Sequence, residues 1–219
     1  MDVFVIDPSK VRDIAPDVLD TDGRLRVMPA AYWATTTPEE RQLFGHQHGL
    51  YSFPTTELVD HLRALIGDRT AIEISAGHGV LAEALGIPAT DSRQQDKEPY
   101  RSIYLASGQP TVPYGPNVID CHASRAVRQY KPQVVIGCWI THKYDPANHA
   151  ARGNEAGVDE PDILRNCETY VVIGNQRVHE LKPLWTRPHT IEYPPFVYSR
   201  AQNGTPDFIA IWRGIRATA

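Results

Sequence analysis

The order of apolar and amphipathic segments predicts an α/β fold: a three-layer sandwich whose mostly parallel, seven-stranded sheet lies between helices. Strand-like and helix-like segments alternate from residue 70 to about residue 185, as in parallel sheets, where each crossover contains a helix. The run "QVVIGCWI" (133–140) is continuously apolar, as in a strand covered on both faces. Two further runs near residues 190–213, joined through Asn203-Gly204, predict an antiparallel C-terminal hairpin.

The individual elements follow from local patterns. The first long helix is predicted at 35–45, because Thr37 suits the N-cap, Pro38 the first helical position and Gly45 the end. Further helices are predicted at 55–67, 80–86, 123–130 and 159–167. The parallel strands are predicted at 70–75, 87–91, 117–120, 133–140 and 168–175. Together with the hairpin, these strands complete the predicted sheet.

The chain is predicted to be a single domain, residues 1–219, with an N-terminal helical lid segment (1–69) before an α/β core (70–219). The residues before the first strand are too few and too often interrupted by proline for a second full domain. We expect them to cover the ligand pocket that such sheets form at the carboxyl ends of their strands.

Within the lid segment, "FGHQHGLYSFPTTE" (44–57) contains His46, His48 and Tyr51. Gly45 and Gly49 flank the two histidines as possible hinges, so this stretch is predicted to close over a bound ligand. A His-x-His pair can also bind a metal, but no carboxylate stands at a fixed spacing from it, and we predict no metal site.

Composition narrows the function classes. The net charge is −4 and the pI about 6.1, so no nucleic-acid partner is expected. No apolar run reaches the roughly 18 residues of a membrane span, so no membrane association is expected. The N-terminal "MDVFVIDPSK" does not read as a signal peptide. Cys121, Cys138 and Cys167 are expected to be free thiols, and the protein is expected to be cytoplasmic, as a monomer or a homodimer.

The segment "EISAGHGVLAEALG" (73–86) places Gly77 and Gly79 between a predicted strand and a predicted helix. Three interpretations compete. The first is a tight strand-to-helix turn, although a turn needs only one glycine and two suit a backbone that approaches a ligand at the helix N-terminus. The second is a dinucleotide site, since Gly77, Gly79 and Ala82 satisfy the pattern GxGxxA. That pattern requires an acidic residue roughly 20 residues beyond the first glycine, whereas Asp91 follows Gly77 by only 14.

The third interpretation is a resemblance. Glu73, Gly77 and Gly79 resemble motif I (E-x-G-x-G-x-G) of the class I S-adenosylmethionine-dependent methyltransferases, with Ser75 at the first glycine. Asp91, at the end of the second strand, matches the family's ribose-binding acid. Asp120, after the third strand, matches the acid near the adenine amino group.

The resemblance covers roughly residues 56–215 and implies a Rossmann-like fold with S-adenosylmethionine as cofactor and S-adenosylhomocysteine as product. The residues implied to bind the cofactor are Glu73, Ser75, Ala76, Gly77, Gly79, Asp91, Ser92, Asp120, Cys121 and Trp139. Glu73 and Asp120 have alternative readings as caps on backbone amides. Asp91 can accept charge-assisted hydrogen bonds from two hydroxyls.

Methyl transfer needs an aligned acceptor, exclusion of water and sometimes a base. The stretch after the predicted fourth strand supplies candidates: His142 to take a proton, and Tyr144 and Asp145 to orient an acceptor. Asp145-Pro146 can equally be a turn. The N/D-P-P-Y/F tetrapeptide of DNA adenine methyltransferases and the Pro-Cys nucleophile of the cytosine enzymes are missing, and "YPPF" (193–196) follows the wrong strand.

Two functions stay open from the sequence. One is methyl transfer to an unidentified acceptor, expected to be a small molecule. The other is a catalytically degenerate member of the fold that binds S-adenosylmethionine or a partner protein without chemistry. Fold and donor site do not determine the acceptor.

Overall fold

The computed structural model describes residues 7–215, so residues 1–6 and 216–219 of the predicted domain lie outside the described range. The strands are β1 (Ser52–Phe53), β2 (Ala71–Ile74), β3 (Ala89–Asp91), β4 (Val118–Asp120), β5 (Val134–Cys138), β6 (Thr169–Asn175), β7 (His189–Glu192), β8 (Tyr198–Ser199) and β9 (Asp207–Arg213). The helices are α1 (Ala15–Val18), α2 (Ala30–Trp33), α3 (Pro38–Gln47), α4 (Thr56–Ile66), α5 (Val80–Leu85), α6 (Tyr100–Ala106), α7 (Ala123–Tyr130) and α8 (Glu160–Arg165). Short 3-10 turns occupy Pro8–Lys10, Gln94–Asp96, His149–Ala151 and Pro183–Thr186.

The main sheet has seven strands in the order β4-β3-β2-β5-β6-β9-β7. Neighbouring strands from β4 to β6 run parallel, while β9 is antiparallel to both β6 and β7. The predicted Rossmann-like α/β fold with an antiparallel C-terminal hairpin is therefore confirmed. The strand order reverses between β2 and β5, and in such sheets this point forms a crevice at the carboxyl ends of the strands.

Helices cover both faces of the sheet because successive side chains of a buried strand point to opposite sides. On one face, α4 and α5 pack against Val134 and Ile136 of β5. On the other face, α7 and α8 pack against Ile72 of β2 and Val135 of β5. The continuous apolar run of β5 is thus buried between two helical layers, as its sequence predicted.

The N-terminal region is divided between two packing groups. Helix α4 contributes Leu58 and Leu62 to the core beneath the sheet, so it belongs to the α/β core. The residues before α4 form a separate cluster in which the rings of Trp33 and Phe53 stack with centroids 4.6 Å apart. The amphipathic face of α4 is thus buried against the sheet, so α4 packs with the α/β core although it lies within the predicted lid segment (1–69).

The β1–β8 sheet and helix α6 were not predicted from the sequence, and neither were the short helices α1 and α2. Strands β1 and β8 form a small antiparallel sheet in which Ser52 pairs with Ser199, which ties the predicted hinged stretch (44–57) to the C-terminal part of the chain. Helix α6 connects β3 to β4, yet none of its residues is buried. Its Ile103 and Leu105 are 59% and 64% exposed, so this crossover helix does not pack on the sheet.

Among residues 7–215, no helix combines the length and the apolar character needed to cross a membrane. Over the same range, no three His, Cys, Asp or Glu side chains converge in a way that could hold a metal ion.

Candidate ligand site at the glycine turn

A cavity of about 610 Å³ lies at the point where the strand order reverses. Ser75 follows β2, Ser92 follows β3 and Trp139 follows β5, and all three line it. We call it the glycine-turn cavity. Other residues of its wall are Gly77, Asp91, Tyr104, Tyr114, Asn154 and Val158. Its volume falls within the range of roughly 300–1,000 Å³ that is usual for small-molecule and cofactor sites.

The two glycines of the turn have different surroundings. Gly77 has a φ of +56° and lines the cavity, and a Cβ there would lie 3.4 Å from Val112, an ordinary contact. Gly79 has a φ of +72° and begins α5, and a Cβ there would lie 2.5 Å from a methyl group of Val118 in β4. Gly79 is outside the cavity wall and is required for packing of the turn on β4, whereas Gly77 borders the space open to a ligand.

Ser75 also adopts the left-handed conformation, with a φ of +49°. It occupies the position of the first glycine in the resembled motif. An L-residue pays roughly 1–2 kcal/mol for this conformation, and such strain clusters at ligand sites. Its neighbour Ala76 also lines the cavity, and the Ala76 amide donates to the carbonyl of Thr90 at 3.0 Å. The turn is therefore anchored to the adjacent strand while its outer side stays open.

Glu73 lies in the cavity wall with only 1% of its surface exposed. Its Oε2 accepts a hydrogen bond from the amide of Ala82 at 2.9 Å. Burial, followed by the nearby charge of Asp91, raises the pKa of Glu73 to about 8. The structure thus realises the capping role, on the first turn of α5, and also places this carboxyl next to the ligand space.

Asp91 holds the glycine turn from the opposite side. Its Oδ2 accepts from the Gly77 amide at 3.0 Å, and its Oδ1 accepts from the Arg93 amide at 2.8 Å. Burial raises the pKa of Asp91. A carboxylate offers about four lone-pair sites, so Asp91 retains acceptor capacity toward the cavity that it lines.

The third predicted strand-end acid lies elsewhere. Asp120 is exposed and pairs with Lys97 Nζ at 3.4 Å, and it is not part of the cavity wall. Cys121 is buried outside the wall as well, and its amide donates to the carbonyl of Asp91 at 2.9 Å. Asp120 is the last residue of β4 and Cys121 follows it, one strand further from the reversal point than Asp91. The structure does not bring them together with the glycine turn.

Trp139 stands where the glycine-turn cavity meets a second groove. Its backbone is left-handed, with a φ of +57°, and its amide donates to the carbonyl of Ile173 at 2.8 Å. Its indole Nε1 is buried without a hydrogen-bond partner. The ring of Tyr51 lies beside it, with centroids 6.2 Å apart. An unpartnered buried donor between two cavities is suited to a ligand acceptor atom.

The second groove has a volume of about 1330 Å³ and shares Tyr51, Trp139, Ile140 and Thr141 with the glycine-turn cavity. We call it the arginine groove because its wall includes Arg41, Arg152, Arg177 and Arg200. The glycine-turn cavity differs in charge, since its wall contains the acids Glu73 and Asp91 and no lysine or arginine among the described residues.

The three predicted catalytic residues do not lie together in the structure. His142 is buried in the wall of the arginine groove, and its Nε2 lies 3.0 Å from the carbonyl of Ala151. Burial lowers the pKa of His142. Tyr144 hydrogen-bonds His149, and Asp145 accepts from the amide of Ala147 at 2.8 Å in a local turn. Neither lines either cavity, because their loop extends outward after β5.

The predicted lid residues also separate. Tyr51 lines both cavities, with the guanidinium of Arg200 3.7 Å above the centre of its ring. His46 is exposed at the end of α3, and His48 packs on Phe44. Neither histidine lines the glycine-turn cavity or the arginine groove. The stretch is paired with β8 through β1, and Gly49, Tyr51, Ser52 and Pro54 within it line the glycine-turn cavity. Its closure over a bound ligand stays a prediction.

Sequence reasoning missed part of the cavity wall. His78, Tyr104 and Tyr114 all line it. Burial lowers the pKa of His78 to about 4, so its ring is neutral near pH 7. The tyrosines come from the β3–β4 connection, where Tyr100, Tyr104 and Tyr114 would have been a signal if aromatic spacing had been followed there.

No family model and no curated protein matches the sequence. Solved structures are similar at low identity. A SAM-dependent methyltransferase from Agrobacterium tumefaciens is 13% identical over 71% of this chain and 60% of its own length, with a TM-score of 0.34. An rRNA methylase from Streptococcus thermophilus is 14% identical over 71% of this chain and 93% of its own, with a TM-score of 0.37. A precorrin-6y C5,15-methyltransferase from Geobacter metallireducens GS-15 is 12% identical over 73% and 89%, with a TM-score of 0.37.

This chain thus spans less than two thirds of the Agrobacterium protein. Likeness at this level gives no residue correspondences, so functional roles rest on the side chains of this chain. The chain has a Rossmann-like α/β sandwich fold, and the solved structures similar to it include S-adenosylmethionine-dependent methyltransferases.

Proposed function

We propose that this chain binds S-adenosylmethionine in the glycine-turn cavity and transfers its methyl group to an acceptor in the arginine groove. The observation that carries the proposal is the composition of the cavity wall: it contains the carboxyl groups of Asp91 and Glu73, which a bound cation would favour in their ionised form, and no lysine or arginine among the described residues. S-adenosylmethionine carries a sulfonium and an ammonium against one carboxylate, so its net charge is positive. A dinucleotide would place a pyrophosphate beside two acids.

The residues present fit the donor. Asp91 has lone pairs free for ribose hydroxyls after accepting from Gly77 and Arg93. Glu73 lies where it can neutralise a cationic group. Val112 and Ile103 offer apolar surface to an aromatic base. We assign no donor contact to Asp120, whose carboxylate pairs with Lys97.

When bound, S-adenosylmethionine supplies an electrophilic methyl group on its sulfonium. The protein then has to place an acceptor in line with that methyl and exclude water. The wall shared by the two cavities, with Tyr51 and Trp139, is where we place this contact.

His142 is the candidate for moving a proton. If its Nε2–H is donated to the carbonyl of Ala151, the other ring nitrogen, Nδ1, is left to accept a proton. Its lowered pKa keeps the ring neutral near pH 7, as a base requires.

A second function, donor binding without chemistry, is favoured by one observation. Tyr144 and Asp145 lie outside both cavities, so two of the three predicted catalytic residues cannot reach an acceptor there. The names of similar structures mention both an rRNA and a precorrin, so we argue the acceptor class from this chain's own groove.

Calorimetry with S-adenosylmethionine, S-adenosylhomocysteine and NAD tests the donor proposal. We expect binding of the first two and none of NAD. Asp91→Ala should weaken S-adenosylmethionine by roughly 10- to 150-fold, because it removes hydrogen bonds to a charged group that contribute about 1.5–3 kcal/mol. Asp60 is an exposed residue of α4, and Asp60→Ala is the control. Unchanged affinity in Asp91→Ala, or preferential binding of NAD, would contradict the proposal.

A methyl-transfer assay then separates enzyme from binder. His142→Gln should lower the turnover rate and leave donor affinity unchanged, because His142 is outside the glycine-turn cavity. If no acceptor is methylated by a protein that binds S-adenosylmethionine normally, the binding function is the better description.

A further inference from the structure

The arginine groove contains five basic side chains, but most of them are already engaged. Arg41 donates to the carbonyl of Thr36 at 2.7 Å and lies over the ring of Tyr198. Lys182 is buried in an ion pair with Glu160 at 2.9 Å. Arg200 stacks on Tyr51, as described above. These three side chains serve the fold or the aromatic wall.

Arg152 and Arg177 are different. Both line the groove and both are exposed. Within residues 7–215, neither guanidinium has an ion pair or a hydrogen bond to the protein. Arginine presents a planar fork of donors that matches carboxylate and phosphate groups. The groove therefore offers two unpaired guanidinium groups to an anion.

The backbones that carry the two arginines are held in place. Arg152 follows Ala151, whose carbonyl is bonded to buried His142, and Arg152 itself has a φ of +60°. The Arg177 amide donates to Thr205 Oγ1 at 3.2 Å, just after β6. Both loops are thus anchored to the groove while the guanidinium groups stay free, an arrangement that reduces the ordering cost of binding.

The same groove contains acids, which limits the kind of anion. Glu39 accepts from Gln202 at 2.6 Å, Glu180 is exposed, and Asp207 accepts from Ser199 at 2.9 Å. A nucleic-acid backbone would have to run past these carboxylates. A single anionic group meets fewer of these carboxylates than a polyanion does, and the overall charge of −4 also disfavours a polyanion.

The part of the groove next to the glycine-turn cavity is aromatic and apolar. Tyr51, Trp139 and Ile140 form this shared wall, and the Trp139 indole donor has no partner. A flat apolar body with one polar atom fits there. An acceptor held by this wall would direct its reacting atom toward the glycine-turn cavity and its remaining length into the groove.

We propose that the methyl acceptor is a small organic anion, with a ring-sized apolar body against Tyr51 and Trp139 and a carboxylate or phosphate held by Arg152 and Arg177. The role of this anion as methyl acceptor rests on the proposed function, whereas its binding in the arginine groove does not.

Two probes of similar shape, one with an anionic group and one without, test it: 3,4-dihydroxybenzoate and 3,4-dihydroxybenzamide. Binding is measured by calorimetry and by ligand-observed NMR, with and without saturating S-adenosylhomocysteine. We expect the acid to bind wild type at least tenfold more tightly than the amide, since a carboxylate can form a bidentate pair with a guanidinium in which both partners are ionised, whereas the amide offers one neutral carbonyl acceptor. Arg152→Gln/Arg177→Gln should remove that difference. Arg125→Gln, an exposed arginine of α7 outside both cavities, is the matched control and should retain it.

Equal binding of acid and amide, or a loss of the difference in Arg125→Gln as well, overturns the proposal. Inorganic phosphate is a further arm: competition with the acid supports a shared anion site. A single-stranded oligonucleotide that binds more tightly than the acid, in an Arg152- and Arg177-dependent way, overturns it in favour of nucleic acid.

The donor measurement keeps the two proposals separate. The double arginine variant should bind S-adenosylmethionine like wild type, because neither arginine lines the glycine-turn cavity. If wild type fails to bind S-adenosylmethionine but still prefers the acid, the proposed function fails and the anion site stands.

Discussion

At the scale of single residues, the glycine turn contains one position open to a ligand and one closed by packing. Gly77 borders the cavity, whereas Gly79 is covered by Val118. Both have positive φ, so any side chain adds backbone strain at either position. The two positions should therefore respond differently to the same substitution.

Gly77→Ala should reduce S-adenosylmethionine affinity by about tenfold or more with modest destabilisation, about 1 kcal/mol from the left-handed conformation. Gly79→Ala should destabilise the fold by about 2–4 kcal/mol, since overpacking adds about 1–3 kcal/mol to that strain. Thermal unfolding and calorimetry on each variant check the pair. Wild-type affinity in Gly77→Ala would show that the turn does not contact the donor.

Glu73 should make donor binding depend on pH. With a pKa of about 8 it is mostly protonated at pH 7. A cationic ligand favours the ionised carboxylate, so binding should release a proton and affinity should rise with pH up to about pH 8, by at most about tenfold per pH unit. Calorimetry in buffers of different ionisation enthalpy measures the number of protons released on binding. Glu73→Gln should show no such proton release. If the wild-type protein also binds the donor without releasing a proton, the proposal that Glu73 faces a cationic group of the donor is wrong.

The carboxyl group of Glu73 should also make the free energy of unfolding depend on pH. The pKa of Glu73 rises from 4.5 to about 8 on folding, so between these values the folded state binds more protons than the unfolded state. The free energy of unfolding contributed by Glu73 is therefore present below pH 4.5 and is lost as pH rises to about 8. Glu73→Gln, which can still accept from Ala82, should gain stability relative to wild type over this window in chemical denaturation. A constant difference would argue against a raised pKa.

At the scale of elements, α6 is the segment placed to cover the glycine-turn cavity. Tyr100, Ile103 and Tyr104 line the cavity, yet no residue of α6 is buried. An element with few buried contacts opens at low free-energy cost. The hinged stretch expected from the sequence is paired with β8, so we expect α6, in the β3–β4 connection, to be the more mobile cover.

Hydrogen exchange should show whether α6 covers the glycine-turn cavity when a ligand is bound. Amides of Tyr100–Ala106 should exchange rapidly in the free protein and slow by about tenfold or more with saturating S-adenosylhomocysteine, because a ligand bound beneath α6 stabilises its closed position. Helix α7, which packs on the sheet, is the internal control. Equal exchange of α6 with and without ligand would exclude it as a cover.

At the scale of the whole molecule, a buried ion pair joins α8 to the segment after β6. Lys182 and Glu160 are 1% and 2% exposed, and Tyr170 also donates to Glu160 at 3.2 Å. Removing one partner of such a pair leaves an uncompensated charge, whereas removing both is much less costly. The pair therefore links two layers of the sandwich without being a large net source of stability.

Lys182→Met should lower the free energy of unfolding by about 3–5 kcal/mol, and Lys182→Met/Glu160→Gln should recover a large part of it. Arg165→Gln, which removes an exposed pair with Asp162, should cost about 1 kcal/mol or less. Chemical denaturation measures all three variants. A double variant no more stable than Lys182→Met would contradict the role of charge.

Much of the fold was predicted correctly from local sequence patterns. Thr37 and Glu40 form the capping box at the start of α3, and α7 has the predicted bounds. Helix α6 escaped prediction because it has no apolar face to bury, and β1 and β8 escaped because two-residue strands depend on their partner. These elements exist through contacts between distant parts of the chain.

The sequence by itself determined the seven-stranded sheet, helices α3, α4, α5, α7 and α8 and the glycine turn, because periodicity, caps and turn residues act between close neighbours. It also placed Glu73, Ser75, Gly77 and Asp91 at one edge of the sheet. Only the tertiary structure decided which side chains share a cavity. Gly79 packs on Val118, Asp120 pairs with Lys97 and Trp139 joins two cavities, since each outcome depends on residues that are far apart in the chain and meet only when the layers pack.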